Sequence, residues 1–287
     1  MLAFYINLDS RTDRRAFMEA QFAALGMDVE RLQATTPDTI SREEIAPLAM
    51  EEIRAALSPV EVAASISHFR IWRHMLAGGH RRVLVLEDDV WLSGLLPSFL
   101  AALESDGPDT GVLRLETRLS QVLLHRRAER APSGISLHLP LSYEPGAGAY
   151  IISVDYAARI LASPERFSMP IDDIIFSLKS PFRKTSRLRA AVPGLALFQF
   201  EVTPDYCVPD SILKSDAQAS RNLRYADEVR APGPSGWLKL RRELRRLRRQ
   251  IQMTYEAIWL RPFAVRRIVP FAGSAVSAPP SAAPPRA

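Results

Sequence analysis

The chain has 287 residues, 47% of them apolar, which suffices for one large α/β domain or for one domain with an appendage. Its single cysteine excludes an internal disulfide, and because no Cys/His cluster accompanies it, a usual structural zinc site is excluded too. The net charge of +5 conceals an asymmetry: residues 1–229 hold 25 Lys and Arg against 30 Asp and Glu, whereas residues 230–287 hold 12 against 2. This asymmetry predicts an anionic partner for the C-terminal part, either a membrane or a nucleic acid.

The first predicted elements are a strand at residues 3–8, a polar turn at 9–15 and a helix that Gly26 is expected to end. Ligand sites of open α/β sheets border the carboxyl ends of strands, and Arg donates a rigid fork of hydrogen bonds that suits diphosphate. We therefore predict a ligand-binding edge here, with a solvated helix start as the alternative. The side chains expected at this edge are Asn7, Asp9, Arg11 and Arg14.

No signal-like segment or membrane span is visible in the sequence. The chain starts almost directly with its first strand, without a basic region followed by an apolar run of signal length. No stretch approaches the roughly 20 apolar residues that cross a bilayer. We expect a cytoplasmic protein, or one bound peripherally to the cytoplasmic face of the inner membrane.

A second helix is predicted to begin at residues 58–61, where Ser-Pro-Val-Glu forms a capping box with proline at the first helical position. Ser67 and His68 lie in this helix among small residues, which allow a backbone to approach a ligand closely. A hydrogen-bonded structural role is the alternative for His68.

An apolar, β-prone run at residues 83–86 leads straight into Glu87, Asp88 and Asp89. Such a run is typical of a buried strand in an α/β sheet. Carboxylates crowded at its end repel one another unless a cation or protons neutralise them, and Mg²⁺ is typically held by one or two carboxylates plus substrate phosphates. The triplet predicts a divalent metal that bridges Asp89 and Glu87 or Asp88 to a diphosphate. An acidic turn facing water is the alternative.

The middle of the chain predicts strands at 112–116, 147–153 and 195–200, and paired short strands at 119–124 and 135–139 around a basic turn at 125–134. Asp172 and Asp173 precede a short helical stretch, where the helix dipole favours negative charge. The pair is therefore either a helix cap or part of a catalytic site.

Between Trp237 and Ile258, apolar residues recur at steps of three or four while seven Lys and Arg fill the other faces. This pattern predicts a basic amphipathic helix of the interfacial type. A charged helix that docks its apolar stripe on the body is the alternative. Residues 272–287 are rich in Ala, Pro and Ser and are expected to be disordered.

Taken in order, these motifs resemble glycosyltransferase family 25, the lipooligosaccharide galactosyltransferase-like family of bacteria. The matching segments are Tyr5 to Arg15, Ser67-His68 with Trp72, Leu86 to Val90, Arg114 to Thr117, Gly148 to Ser153, Pro170-Ile171-Asp172 and Ile268 to Phe271. They extend over about residues 3–271. The acidic triplet alone is unspecific, and the ordered set carries the resemblance.

The resemblance implies a GT-A-type nucleotide-sugar-binding α/β fold with a mixed central sheet flanked by helices, a UDP-sugar donor, Mn²⁺ or Mg²⁺, and inversion at the anomeric carbon. By position, Asn7, Asp9, Arg11 and Arg14 would line the donor nucleotide. Ser67 and His68 would lie near the diphosphate, and Glu87 and Asp89 would be the ends of a DxD-like metal-binding element. Because inversion requires a carboxylate that takes the proton of the acceptor hydroxyl, we assign this base to Asp172 or Asp173, with Glu116 in reserve.

The predicted function is transfer of a hexose, with galactose expected, to a lipid-linked oligosaccharide of lipopolysaccharide or lipooligosaccharide. Residues 1–229 would form the catalytic domain, residues 230–271 a membrane-association segment that contacts an anionic surface through 237–258, and residues 272–287 the tail. Alternatives are a transferase acting on another glycan or protein, an inactive scaffold, and a nucleic-acid-binding protein that uses the Arg-rich helix. The intact acidic triplet argues against the inactive scaffold. The acidic body and the lack of a recognised binding motif argue against nucleic acid.

Overall fold

The structure, a computed structural model, describes residues 1–46, 51, 53, 56–106, 110–198 and 262–273. The helices are α1 (Thr12–Leu25), α2 (Arg42–Ile45), α3 (Pro59–Ala77), α4 (Leu96–Asp106), α5 (Val154–Ala162) and α6 (Ile171–Phe176). The strands are β1 (Leu2–Asn7), β2 (Glu30–Gln33), β3 (Arg82–Glu87), β4 (Val90–Leu92), β5 (Val112–Arg114), β6 (Glu116–Thr117), β7 (Gln121–Arg130), β8 (Ser136–Pro140), β9 (Ala149–Ser153), β10 (Arg189–Val192), β11 (Ala196–Phe198) and β12 (Ala264–Ile268). The predicted helix at 237–258 and all but the first two residues of the predicted tail lie outside the described residues.

A nine-stranded mixed sheet in the order β12-β7-β8-β10-β5-β9-β3-β1-β2 organises the fold. β1 pairs in parallel with both β2 and β3, whereas β9 runs antiparallel to β3 and β5. A smaller sheet, β4-β11-β6, adjoins it. The predicted α/β fold with a mixed central sheet flanked by helices is confirmed.

The side chains of the central strands alternate between two cores, one on each face of the sheet. Ala3 and Tyr5 of β1 pack with α1 and α4, while Phe4 and Ile6 pack with α3, α5 and α6. β3 divides in the same way, so both strands are covered on both faces. This burial explains why they read as continuous apolar runs.

Both predicted helix signals are confirmed by the local geometry. Ser58 accepts a hydrogen bond from the backbone N–H of Glu61, whose side chain reaches back to the N–H of Ser58, so the capping box of α3 is complete. Gly26 ends α1 in the left-handed conformation, with φ of 61°. Gly26 thus fixes where α1 ends before β2, and Ser58 fixes where α3 begins before β3.

Two predicted elements were wrong in detail. The predicted basic turn at 125–134 is mostly strand, because β7 continues to Arg130 and pairs with β8 and with β12. The predicted strand at 112–116 is broken at Leu115, where the chain leaves the large sheet as β5 and enters the small one as β6. This crossing places Glu116 between the two sheets.

β12 returns the chain to the main sheet after the segment that is not described. It pairs antiparallel with β7 from Ala264 to Ile268, and the carbonyl of Val269 accepts a hydrogen bond from Thr117 Oγ1 at 2.7 Å. The last part of the predicted segment 230–271 is thus a strand of the sheet, and the predicted boundary at 229 stays a prediction. Across the described residues, no helix combines the length and the apolar character that crossing a bilayer demands.

Candidate active site

The ends of β1 and β3 meet at one edge of the sheet, as parallel neighbours do. Asn7 Nδ2 donates to Asp88 Oδ2 at 2.7 Å, and Arg14 Nη1 donates to Asp88 Oδ1 at 2.7 Å. All three residues are buried. Because each oxygen of Asp88 has a donor and its charge faces a guanidinium, this Asp88 cluster (Asn7, Arg14 and Asp88) is internally compensated.

Gln21, two helical turns after Arg14 on α1, fixes this helix to the strand that follows the acidic triplet. Gln21 Nε2 donates to the carbonyl of Val90 at 3.1 Å, and the N–H of Leu92 donates to Gln21 Oε1 at 2.8 Å. The amide therefore pairs with β4 much as a neighbouring strand would. This pairing holds Arg14 in place beside the turn.

Next to the Asp88 cluster lies a group of acids with opposite electrostatics, which we call the carboxylate cluster: Glu87, Asp89 and Glu116. Glu87 is half-buried, and its partial desolvation, together with the negative charges of Asp172 and Asp88, raises its pKa to about 7. Burial and the charge of Glu87 raise the pKa of Asp89 to about 8. The cluster therefore carries more negative potential than its surroundings neutralise.

The two carboxylate oxygens of Asp89 differ in their hydrogen bonding. Its Oδ2 lies 3.4 Å from Arg14 Nη1, whereas its Oδ1 is buried and has no hydrogen-bond partner among the described residues. A buried carboxylate oxygen without a partner is costly unless a cation, a proton or a solvent molecule satisfies it.

Glu116 is held in the cluster by a backbone hydrogen bond, and it occupies space that exists because residues 146 and 148 are glycines. The N–H of Gly148 donates to Glu116 Oε2 at 2.8 Å, and a Cβ added at Gly146 or Gly148 would come within 2.9 and 3.1 Å of the carboxylate oxygens. Burial raises the pKa of Glu116 to about 7, although the nearby charges of Arg114 and Arg118 oppose the shift. The two glycines are therefore needed for the acid to occupy this position.

Ser67 and His68, the two residues predicted on α3, make contacts in different parts of the molecule. Ser67 Oγ accepts from the N–H of Thr35 at 2.8 Å and donates to a carbonyl one turn earlier in the helix, so it fixes the segment after β2. His68 is buried, with Nδ1 2.8 Å from the hydroxyl of Tyr150 and Nε2 3.5 Å from Glu87 Oε1. His68 thus faces the carboxylate cluster.

Asp172 lies on the other side of the same region and does not cap its helix. Its Oδ2 accepts from the N–H of Gly146 at 3.0 Å and from the hydroxyl of Tyr143 at 3.2 Å. Asp172 is buried and its charge acts on both His68 and Glu87, whereas Asp173 is only half buried. The structure therefore favours Asp172 over Asp173 as a group of the site.

The side chains of two predicted donor-binding residues pair with groups outside the acidic triplet. Asp9 is exposed and pairs with Arg31, and Arg11 pairs with Asp13 at 3.0 Å. Arg31 also donates to Asn7 Oδ1 at 3.0 Å, so it connects the exposed loop to the Asp88 cluster. Of the four side chains predicted at this edge, Asn7 and Arg14 join the acids directly.

The residues present fit a divalent ion by charge, although the geometry is incomplete. Within the described ranges, no group of three or more His, Cys, Asp or Glu side chains is arranged to hold a metal. Asp88 has both oxygens engaged by Arg14 and Asn7. Asp89 offers an unsatisfied buried oxygen and Glu87 lies next to it, which matches the one or two protein carboxylates that Mg²⁺ uses when phosphates complete its shell. Metal dependence stays a prediction.

Several residues of the site were not identified from the sequence: Gln21, Arg31, Arg114, Arg118, Tyr143, Gly146 and Tyr150. Their contacts join segments far apart in the chain, as with Arg14 and Asp88, which are 74 positions apart. The spacing Gly-Ala-Gly at 146–148, directly before a strand, is the one local signal that could have indicated a close approach.

Comparison with known proteins gives a consistent result. The family model described as "Glycosyltransferase family 25 (LPS biosynthesis protein)" matches residues 1–175. Over 181 residues, 60% of this chain, the chain is 24% identical to a "Glycosyltransferase 25 family member" of Anopheles gambiae. It is 31% identical over 182 residues to the "Lacto-N-neotetraose biosynthesis glycosyltransferase LgtB" of Neisseria meningitidis serogroup B (strain ATCC BAA-335 / MC58).

These matches cover only part of the relatives: 30% of the Anopheles protein and 66% of LgtB. Among solved structures, a glycosyltransferase "involved in the glycosylation of the major capsid of PBCV-1" aligns with 70% of this chain and 93% of its own, at 13% identity and a TM-score of 0.38.

Proposed function

The chain belongs to glycosyltransferase family 25, and on that premise we propose that it is an inverting glycosyltransferase that moves a hexose from a UDP-sugar to lipopolysaccharide or lipooligosaccharide. Galactose is the sugar we predict. The acceptor class is inferred from the family description and from the name of LgtB, both of which concern oligosaccharide biosynthesis.

The observation that carries the proposal is the pairing of two unlike clusters at the carboxyl ends of β1 and β3. Ligands of open α/β sheets bind at this edge. The Asp88 cluster supplies a rigid, charge-compensated wall. The carboxylate cluster beside it supplies negative charge that Arg14, Arg114 and Arg118 compensate only in part, since the pKa values of its acids stay raised. A cation bound with a diphosphate would neutralise the carboxylate cluster, and Arg14 would lie near the bound diphosphate.

A divalent cation, when bound, would neutralise the charge that develops on the departing nucleoside diphosphate. Asp89 would hold it, with Glu87 as the second protein ligand. Asp88 would keep Asn7 and Arg14 in place. This arrangement chooses Glu87 over Asp88 as the partner of Asp89, between which the sequence left the choice open.

Asp172 is the residue we propose as the general base. Inversion needs a carboxylate on the face opposite to the leaving group, within reach of the acceptor hydroxyl. The hydrogen bonds from Gly146 and Tyr143 orient Asp172 Oδ2, and the buried setting limits competition from solvent. The deprotonated acceptor oxygen would then attack the anomeric carbon as the bond to the diphosphate breaks, and Asp172 would retain the proton.

Membrane association is a further part of the proposal and concerns the sequence at 237–258. Each Lys or Arg close to an anionic surface contributes about 1 kcal/mol to binding, and this stretch carries seven. The test compares the full chain with a variant in which Arg245, Arg246, Arg248 and Arg249 are replaced by Gln. The variant should co-sediment with vesicles containing phosphatidylglycerol several-fold less than the parent, and equal co-sedimentation would contradict the proposal.

The function itself is tested by incubating the protein with a panel of UDP-sugars, Mn²⁺ and a lipooligosaccharide acceptor, and reading the anomeric configuration of the product by NMR. Asp172→Asn should lower kcat by about 100-fold or more while UDP binding is unchanged, as expected for loss of a general base. The matched control is Asp155→Asn, since Asp155 also lies in the first turn of a helix but is exposed. Near-normal turnover in Asp172→Asn, or a retained configuration, would overturn the assignment.

A further inference from the structure

Three buried side chains link helix α3 to the acidic turn through one hydroxyl. His68 and Trp72 lie one helical turn apart on α3, and both contact the hydroxyl of Tyr150 in β9. His68 Nδ1 is 2.8 Å from that oxygen and Trp72 Nε1 is 3.1 Å from it. Trp72 and Tyr150 are fully buried and His68 is 2% exposed, so solvent does not compete for these bonds.

Counting protons fixes the direction of each bond. An indole N–H only donates, so the oxygen of Tyr150 accepts from Trp72. The phenol has a single proton, which burial retains by raising the pKa of Tyr150 well above its ordinary value. Within the described part of the chain, His68 Nδ1 is the remaining group within hydrogen-bond distance of this hydroxyl. Tyr150 therefore donates to Nδ1, and Nδ1 carries no proton.

The proton of the imidazole must then be on the other nitrogen. An imidazole whose Nδ1 accepts a hydrogen bond is neutral and carries its single proton on Nε2. Its Nε2 lies 3.5 Å from Glu87 Oε1. This is longer than a good hydrogen bond, and such contacts in ligand sites commonly shorten when the ligand binds.

We propose that His68 is a positioning residue, a neutral donor whose Nε2–H is fixed by Trp72 and Tyr150 and which orients the carboxylate of Glu87 toward the ligand. Groups that orient a ligand-binding side chain in this way are usual around metal and phosphate sites. A neutral donor leaves the negative charge of Glu87 available, whereas a cation such as Arg14 neutralises Asp88. The orientation toward a donor diphosphate rests on the proposed function, and the assignment of the tautomer does not.

The tautomer is measured on the full chain labelled with ¹⁵N-histidine, by long-range ¹H–¹⁵N correlation at pH 7. The signals of His68 are assigned by their loss in His68→Gln. We expect a protonated Nε2 and an unprotonated Nδ1 in the parent protein. In Tyr150→Phe, the imidazole proton should redistribute toward Nδ1, because the hydroxyl that donates to Nδ1 is gone. A protonated Nδ1 in the parent protein would overturn the proposal.

Two amide substitutions distinguish the roles of the two ring nitrogens of His68. The amide of His68→Gln places an N–H near the position of Nε2, whereas that of His68→Asn places it near Nδ1. Affinity for UDP with Mn²⁺, measured by calorimetry, should change less than about threefold in His68→Gln and fall about 10-fold in His68→Asn. His74→Gln is the control, because His74 lies on the same helix, is exposed and packs on Phe4 away from the acids. Equal losses in His68→Gln and His68→Asn would contradict a role for Nε2–H.

Failure of this inference and failure of the proposed function give different results. If the parent protein binds no UDP under any condition, the proposed function fails and the tautomer measurement alone decides the assignment. If UDP binds but His68 has its proton on Nδ1, the proposed function stands and the positioning role falls.

Discussion

Asp88 and Asp89 are adjacent in the sequence and both buried, yet they belong to regions with opposite electrostatics. Asp88 has a donor on each oxygen, from Asn7 and from the guanidinium of Arg14. Asp89 keeps one buried oxygen that no described residue hydrogen-bonds, and its pKa is raised to about 8. The comparison teaches that the same residue type can occupy two settings here: Asp88 is compensated within the fold, whereas Asp89 keeps a raised pKa, which is why we propose that a cation binds beside it.

Loss of the Arg14 side chain should destabilise the Asp88 cluster more than any other change proposed here. Arg14→Ala leaves Asp88 buried without its counter-charge, which typically costs about 3–5 kcal/mol of unfolding free energy. Urea unfolding measures the loss. The control is Arg15→Ala, since Arg15 is exposed and forms only a surface pair with Glu19. Equal effects of the two substitutions would show that Asp88 does not depend on Arg14.

Glu116→Gln should stabilise the protein at high pH and leave it unchanged at low pH. The pKa of Glu116 rises from 4.5 to about 7 on folding, so the folded chain keeps a proton that the unfolded chain releases. The stability of the parent protein therefore falls as pH rises from about 4.5 to 7, and the difference between parent and variant should approach about 2–3 kcal/mol at pH 8.

Unfolding free energies of parent and Glu116→Gln, measured from pH 4 to 8 without metal, provide this test. The difference between the two proteins reports Glu116 together with its coupling to Glu87 and Asp89, because these acids raise one another's pKa. A difference that stays constant over the whole range would contradict the raised pKa.

Gly148→Ala tests whether Glu116 of the carboxylate cluster needs the space that the glycine leaves. The new Cβ would lie 3.1 Å from Glu116 Oε2 and 2.9 Å from a methyl carbon of Val90, so the carboxylate must shift. We expect a loss of about 1–2 kcal/mol of stability together with reduced transfer activity. Gly94→Ala, which meets nothing within 4 Å, is the control for adding a methyl group. No difference between these variants would mean that Glu116 has room to move.

The sequence predicted the elements whose signals are local. The apolar runs of β1 and β3, the capping box at 58–61 and the stop at Gly26 each depend on neighbours within a few positions, and the structure confirms them. The acidic triplet was found for the same reason, because its strand and its carboxylates are contiguous.

What could not be predicted depends on contacts between distant segments. Nothing near Asp88 indicates that Arg14 lies closer to it than to Asp89. Nothing near His68 reveals Tyr150, 82 positions away. Residues 125–130 looked like a basic turn because their strand partners lie in β8 and in β12, the latter more than 130 positions further along the chain. Glu116 gained its place only through the crossing between the two sheets at Leu115.

Thermal unfolding with UDP, with Mn²⁺ and with both together tests the central claim most directly. We predict that the two ligands together stabilise the protein far more than either alone, by about 2.7 kcal/mol at a concentration 100-fold above Kd, or a rise in Tm of roughly 5–10 °C. The rise should be lost in Asp89→Asn and kept in Asp155→Asn. If no combination of UDP and Mn²⁺ raises Tm, or if Asp89→Asn shows the full rise, the carboxylate cluster does not bind a cation together with a nucleoside diphosphate.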